Sequence, residues 1–310
     1  MKDLLANRRL GALWRFAVAA IIWYAAEFLA STIASPLYRH HWRAFELLFR
    51  CVFLGLLLGG FSLLIVAADR PEQGPLPYMG LDRRLPWLRD MGRGTLLGGI
   101  MVGLAVVAIE IGGSLNFYAT VTPRALGRFA LELVILLAAA LAEEVGFRGY
   151  PFQRMIEAVG PVPAVIVLSA LFGLVHWENP SSSNFSVINT ALVGAVLCVA
   201  YLRTRALWLP WGIHFGWNFA LGVVFGLPVS GLSEFAVIIH GKAHGPLLLT
   251  GGAYGIEGSL AGTAVILVGF PLVLVATRGR RPAPAPPAPS VESTPSISPA
   301  DNSSDLASNQ

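Results

Sequence analysis

The sequence predicts an all-α fold, a polytopic transmembrane helical bundle with about eight spans. Its 310 residues are 55% hydrophobic and only 13% charged, whereas soluble domains carry about 25% charged residues. The mean hydropathy is +0.64. Long apolar runs recur along the chain, and about 20 mostly apolar residues are enough to cross the bilayer core. This composition argues against a soluble globule, a disordered chain and a disulfide-stapled secreted domain.

Eight apolar segments are candidates for the helices of this bundle. The fifth and sixth are short, which a helix buried within a bundle allows. The segments lie at about residues 14–35, 44–68, 94–115, 127–147, 161–177, 187–202, 206–228 and 259–277. Residues 1–277 are therefore predicted to form one membrane domain. Residues 278–310 are rich in Pro, Ala and Ser, so we expect a disordered cytoplasmic tail there.

The distribution of Lys and Arg predicts that both termini are cytoplasmic. With the N-terminus inside, sixteen of these residues fall in inside segments and five in outside loops, while Arg50 lies within the second span. Cytoplasmic segments of membrane proteins carry such an excess. We therefore expect a multi-pass protein of the cell (inner) membrane, with the lipid bilayer as a partner. The basic residues form no dense stripe, which argues against binding of nucleic acid.

Two adjacent carboxylates, Glu143 and Glu144, lie near the end of the fourth segment. Ionisable side chains are costly within a membrane, so those that occur there are candidate functional residues. Glu143 and Glu144 point about 100° apart on a helix, so they cannot share one environment. Glu144 and Arg148 are four residues apart and can form an ion pair. This pairing leaves Glu143 free to act as a general base. A solvated helix end at the membrane interface is the alternative.

Two further polar patterns lie on later segments. His176 follows Phe172 by four residues in the fifth segment, and Asn218 follows His214 by four residues in the seventh. His214 and Asn218 therefore project from one helix face, one turn apart. Hydrogen bonds between helices or an interfacial position would explain each pattern taken alone.

Taken together, these side chains supply the parts of a hydrolytic site that activates water. As a set, Glu143, His176, His214 and Asn218 supply a base, a second proton-handling group and donors for an oxyanion. The alternative use of Glu143, His176 and His214 is to bind a divalent metal such as zinc. The sequence contains no His-Glu-x-x-His motif and no Gly-x-Ser-x-Gly motif. A standard zincin site and a serine nucleophile elbow are therefore excluded.

The three motifs, in this order on successive apolar segments, resemble those of the CPBP intramembrane proteases. That family includes the CAAX prenyl endopeptidases and the bacterial Abi or bacteriocin-processing proteins. The resemblance covers about residues 125–228. It implies a multi-pass endopeptidase whose site lies within the membrane and opens towards the cytosol, and it leaves metal dependence open. The roles that it implies are water activation by Glu143 with His176, oxyanion stabilisation by His214 and Asn218, and shaping of the site by Glu144, Arg148 and Phe172.

The predicted boundaries place Glu143 and His176 at different depths. Glu143 falls near the inner end of its span, whereas His176 falls near the outer end. A fourth helix that continues past Arg148 towards Met155 would move Glu143 deeper into the membrane. We therefore expect this extension.

Two other functions fit the sequence less well than a protease acting on a peptide or membrane-protein substrate. A non-catalytic immunity or scaffold protein of the same fold has no need for complete motifs. A proton-coupled transporter could use Glu27 and Glu110 of the first and third segments. The sequence shows no internal repeats or matched broken helices of the kind that mark transporters. Helix packing or an interfacial position is the simpler interpretation of both carboxylates.

Overall fold

The computed structural model describes residues 8–39 and 41–280, and this part of the chain is a helical bundle with a two-stranded β-ribbon. The predicted all-α fold class is confirmed, and residues 281–310 of the predicted tail lie outside the described residues. The helices are α1 (Arg8–Ala34), α2 (Trp42–Ala68), α3 (Pro75–Tyr78), α4 (Trp87–Gly112), α5 (Pro123–Arg148), α6 (Tyr150–Val159), α7 (Pro161–Val175), α8 (Asn184–Thr204), α9 (Trp208–Phe219), α10 (Leu247–Thr250) and α11 (Leu260–Ala276). Strands β1 (Ser114–Ala119) and β2 (Ile239–His244) pair antiparallel.

Each of the eight predicted segments overlaps one of the longer helices. Within the described chain, five stretches are long and apolar enough to cross a membrane, namely α1 with the turn after it, α2, α4, α5 with α6, and α8. Helices α7 and α11 are shorter apolar helices, and a π-helical turn extends α9 through Ala220–Val224. The chain is therefore a multi-pass membrane protein, and the expectation of about eight helices in the bundle agrees with the structure.

The helical part of the chain that carries Glu143 continues beyond the predicted segment. Helix α5 ends at Arg148, and after a break at Gly149 a separate helix, α6, carries the chain on to Val159, so the predicted continuation of the fourth helix towards Met155 is interrupted. Helix α7 then runs back from the turn that follows. Glu143 and His176 lie at similar distances along the chain on either side of this turn, so the two side chains reach the same level of the bundle.

The loops meet at two opposite ends of the bundle. The arginine-rich end comprises residues 69–86, 148–160, 203–207 and 277–280, and the ribbon end comprises residues 113–122, 176–183 and 225–258. At the arginine-rich end, Asp69 accepts a hydrogen bond from Arg154 at 3.2 Å and lies 3.7 Å from Arg15. At the ribbon end, the Asn179 amide donates to the Ser230 carbonyl at 3.1 Å. The count of Lys and Arg residues also assigns these two sets of loops to opposite sides of the membrane. The cytoplasmic location of the arginine-rich end stays a prediction.

Helices α4 and α9 pack with their backbones almost in contact. A Cβ atom on Gly98 would lie 2.3 Å from the Ile213 carbonyl oxygen, and one on Gly216 would lie 2.2 Å from the Thr95 carbonyl oxygen. Small residues allow membrane helices to approach this closely. Residues two positions apart on a helix point to nearly opposite sides. Because Gly216 faces α4, His214 points away from α4 and into the bundle.

Gly216→Ala is expected to destabilise the protein by about 1–3 kcal/mol, because the added methyl group forces the two backbones apart. Thermal unfolding in detergent measures the effect. Gly99→Ala is the matched control, since a Cβ at Gly99 would meet nothing within 4 Å. A Gly216→Ala protein as stable as this control would contradict the close contact between α4 and α9.

Candidate active site

A cavity of about 310 Å³ lies between the helices, and the four predicted catalytic side chains all line it. Glu143 comes from α5, His176 follows the last residue of α7, and His214 and Asn218 come from α9. Aromatic side chains form much of the remaining wall, namely Trp23, Phe49, Phe53, Phe147 and Phe172. The fold thus brings together residues that the sequence distributes over three helical segments.

Glu143 faces the imidazole rings of both histidines. Its Oε2 atom lies 3.9 Å from Nε2 of His176 and 3.7 Å from Nε2 of His214. This oxygen is buried and has no hydrogen-bond partner among the described residues, although most buried side-chain polar atoms have one. A water molecule at about 2.8 Å from the carboxylate and from a ring nitrogen fits this spacing.

Each ring is oriented by the nitrogen that points away from Glu143. Nδ1 of His176 lies 2.7 Å from the Phe172 carbonyl oxygen, and Nδ1 of His214 lies 2.8 Å from Oε1 of Glu144. A carbonyl and an ionised carboxylate can only accept, so Nδ1 carries the hydrogen in both rings. In the neutral rings, both Nε2 lone pairs are therefore directed into the site.

Glu144 and Arg148 form the predicted ion pair beneath the site. Nη1 of Arg148 donates to Oε1 of Glu144 at 3.2 Å, and both side chains are 0% exposed. Nη2 of Arg148 donates to the Gly194 carbonyl at 3.1 Å, and the guanidinium carbon lies 4.1 Å from the centre of the Phe172 ring. The pair therefore links α5 to α7 and α8, and through Glu144 it holds His214.

Glu27 and Glu110, the carboxylates that a transporter could use, lie in different surroundings. Oε2 of Glu110 accepts a hydrogen bond from the Leu115 backbone N–H at 2.8 Å, so Glu110 joins the end of α4 to β1. Glu27 lines the cavity, as does Arg50, whose Nε donates to Glu46 at 2.8 Å. The hydrogen bond to Leu115 agrees with an interfacial position for Glu110. Glu27, in contrast, is part of the cavity wall.

The described residues contain no group of three or more His, Cys, Asp or Glu side chains that could hold a metal ion. Glu143, His176 and His214 supply suitable donor atoms, but their arrangement does not make such a group. Whether these three candidate ligands bind a metal stays a prediction of the sequence, and no step is derived through a metal.

A second buried carboxyl group lines the cavity, and the motifs gave no indication of it. Glu257 is 8% exposed. Its Oε1 accepts from the Trp217 indole N–H at 3.0 Å, and its Oε2 accepts from the backbone N–H of Ser230 and, at 2.8 Å, from the Ser230 hydroxyl. Burial raises the pKa of Glu257 above its ordinary value, against the opposing effect of the Ser230 hydrogen bonds. In the sequence, Glu257 is distinguished only by its isolation, since it is the only Lys, Arg, Asp or Glu between Lys242 and Arg278.

The cavity lies towards the ribbon end of the bundle. Its lining includes Asn179 and Ser230 from ribbon-end loops and none of the described residues in the loops of the arginine-rich end. The charge count places the ribbon end outside the cytoplasm, whereas the resemblance implies a site that opens towards the cytosol. With the cavity at the ribbon end, the orientation predicted from charge and the cytosolic opening implied by the resemblance exclude each other.

The part of the chain that carries this site is similar to a known protein family. No curated protein and no solved structure matches the chain. Residues 125–220 match the model of a family described as type II CAAX prenyl endopeptidase Rce1-like. The matched segment includes all four predicted catalytic residues. The resemblance to the CPBP intramembrane proteases is therefore confirmed over residues 125–220.

Proposed function

We propose that this chain is an intramembrane endopeptidase in which Glu143 activates the water that attacks the peptide bond. The observation that carries the proposal is the buried, unpartnered Oε2 of Glu143 beside two imidazole Nε2 atoms. A carboxylate that only joined helices would have donors around it, as Glu144 and Glu257 do. The match of residues 125–220 to an endopeptidase family supports the same reaction.

The proposed reaction begins with a water molecule between Glu143 and His176. Glu143 takes one proton, and the water oxygen forms a bond to the scissile carbonyl carbon, whose oxygen becomes an oxyanion. The C–N bond then breaks, and the leaving nitrogen takes the proton back from Glu143, directly or through Nε2 of His176. General acid–base catalysis of this kind contributes about 10²–10⁴-fold to a rate.

Asn218 and His214 are the proposed donors to the oxyanion. Asn218 offers its amide N–H from one turn beyond His214. Nδ1 of His214 is already used in the contact with Glu144, so Nε2 can donate only when the ring carries both protons. The buried Glu144 carboxylate stabilises that cationic ring, as the carboxylate of a catalytic triad does.

Asn218→Ala is expected to lower kcat by about 10²–10³-fold, the usual effect of removing one oxyanion donor. Cleavage of one peptide under saturating conditions measures it. Asn116→Ala, at an exposed position of β1, is the matched control and should cleave at the wild-type rate. A full rate for Asn218→Ala would assign Asn218 to packing alone.

The cavity favours an extended peptide or a segment of a membrane protein as substrate. Its volume of about 310 Å³ accommodates only a few side chains, and the scissile carbonyl has to reach Glu143 between the helices. We further propose a cell-membrane location with both termini cytoplasmic, on the charge distribution. Lipid and peptide are the partners that this account requires, and nucleic acid is not.

The proposal is tested with the purified protein in nanodiscs and a mixed library of peptides. Mass spectrometry of the products should show pairs of fragments from internal cleavage, absent with empty nanodiscs. A folded protein that generates no fragments from this library or from co-reconstituted membrane-protein tails would contradict the proposed activity and favour the scaffold function.

A further inference from the structure

Both oxygens of the Glu257 carboxyl group accept hydrogen bonds, whereas Oε2 of Glu143 has no hydrogen-bond partner among the described residues. The Glu257 carboxyl group accepts one hydrogen bond from Trp217 on α9 and two from Ser230 in the loop that follows. The Glu257 backbone is also anchored, because the Asn189 amide of α8 donates to its carbonyl oxygen at 2.9 Å. A carboxylate whose two oxygens are both held by donors is less suited than Glu143 to take a proton from water. The arrangement of Glu257 is that of a residue that holds other residues in place.

Ser230, the main partner of Glu257, has an unfavourable backbone conformation. Its φ angle is +48°, in the left-handed region that is unfavourable for a residue with a Cβ. Its N–H and hydroxyl are held by Glu257, and its carbonyl accepts from Asn179 at 3.1 Å. Strained conformations persist where the surrounding contacts determine them. Glu257 is therefore one of the residues that hold Ser230 in this conformation.

Asn179 connects Ser230 to the backbone of His176. The Asn179 N–H donates to the His176 carbonyl at 3.2 Å, within the turn that follows α7. The Ser230 turn rests directly on this segment, because a Cβ at Gly231 would lie 2.0 Å from the Pro180 carbonyl oxygen. A continuous series of hydrogen bonds thus runs from Glu257 through Ser230 and Asn179 to the residue whose Nε2 faces Glu143.

We infer that Glu257 is a positioning residue of the proposed active site, which fixes the turn that carries His176 by holding Ser230 in its left-handed conformation. The catalytic consequence of this inference rests on the proposed peptidase function. Glu257 lies outside residues 125–220, so the family match does not cover it. Its effect on the reaction passes through His176, and Glu257 itself does not need to touch the substrate.

Glu257→Gln tests the catalytic consequence. The amide has one acceptor oxygen, and its NH₂ group faces donors, so the contact with either Ser230 or Trp217 is lost. We expect kcat to fall by about 10–10²-fold, as for a small misplacement of a catalytic group, with KM changed by less than about threefold. Glu178→Gln, an exposed carboxylate two residues after His176, is the matched control with wild-type kcat.

Ser230→Gly in the Glu257→Gln background separates positioning from general packing. Glycine adopts a positive φ without strain, so the turn no longer needs Glu257 to hold it. We expect the double variant to recover about tenfold in kcat over Glu257→Gln. Wild-type kcat in Glu257→Gln, or no recovery in the double variant, would overturn the inference.

The carbon-13 NMR signals of the labelled His176 ring give a readout that needs no cleavage, with His176→Gln as the assignment control. We expect these signals to shift in Glu257→Gln and to stay unchanged in Glu178→Gln. Asn179→Ala breaks the series at its other link and should shift the same signals, which keeps the test available if Glu257→Gln does not fold. An unmoved His176 signal would overturn the inference, whereas absence of cleavage by the wild type would contradict the proposed function alone.

Discussion

Replacing Arg148 with methionine is expected to destabilise the folded protein by about 3–5 kcal/mol, because it leaves a buried charge without its partner. Glu144 and Arg148 are both 0% exposed, and Oε2 of Glu144 already has no hydrogen-bond partner among the described residues. The change also removes the donor to the Gly194 carbonyl. Denaturation of the purified variant in detergent measures the loss.

A double variant shows whether the unpaired charge is the cause. Glu144→Gln with Arg148→Met removes both charges, and replacing both partners of a buried pair is often close to neutral. We expect it to recover most of the stability while turnover stays low, because His214 loses its carboxylate. Arg84→Met is the surface control, since Arg84 pairs with Asp82 at an exposed site and should change stability little. An Arg148→Met protein as stable as Arg84→Met would contradict the account.

Glu143→Gln is expected to lower kcat by about 10⁴-fold, the upper end of the range for a general base. Glutamine keeps the shape of the side chain but cannot take a proton. The two nearby carboxyl groups are poor substitutes, because hydrogen bonds hold Glu144 against Arg148 and His214 and hold Glu257 against Ser230. The change adds no volume, so we expect the fold to persist.

Comparison with Glu178→Gln, an exposed site near His176, controls for the substitution. Both variants are measured on the same peptide, with unfolding temperatures as a check on structure. A Glu143→Gln enzyme within about tenfold of this control would remove Glu143 from the mechanism, since a lost general base should cost at least about 10²-fold.

Much of the bundle and of the site followed from local patterns in the sequence. Apolar runs determine where helices can cross a membrane, so the eight segments lay close to the observed helices. Spacings of four residues place side chains on one helix face, which correctly paired Glu144 with Arg148 and put His214 and Asn218 on one face. The chain also stays helical beyond Arg148, although a break at Gly149 divides the expected single helix into α5 and α6.

The contacts between distant parts of the chain could not be predicted in this way. The β1–β2 ribbon joins strands on either side of five helices, and no local pattern indicated its pairing. The contacts of Glu257 likewise depend on a loop that folds back over the cavity. Gly98 and Gly216 each lie four residues after another glycine on the same helix, a spacing typical of closely packed membrane helices that does not indicate which helices meet. The end of the bundle at which the cavity lies depends on how the helices pack, and the distribution of Lys and Arg does not indicate it.

The central claim is that water activated by Glu143 attacks the peptide bond directly, with no covalent intermediate. Rapid-quench analysis under single-turnover conditions, with enzyme in excess over one cleaved peptide, tests it by following both fragments and the intact mass of the protein. The account predicts that both fragments appear together, that the protein mass never changes, and that Glu143→Gln forms neither fragment on this timescale. An amine fragment released before its carboxyl partner, together with an acylated protein, would contradict it.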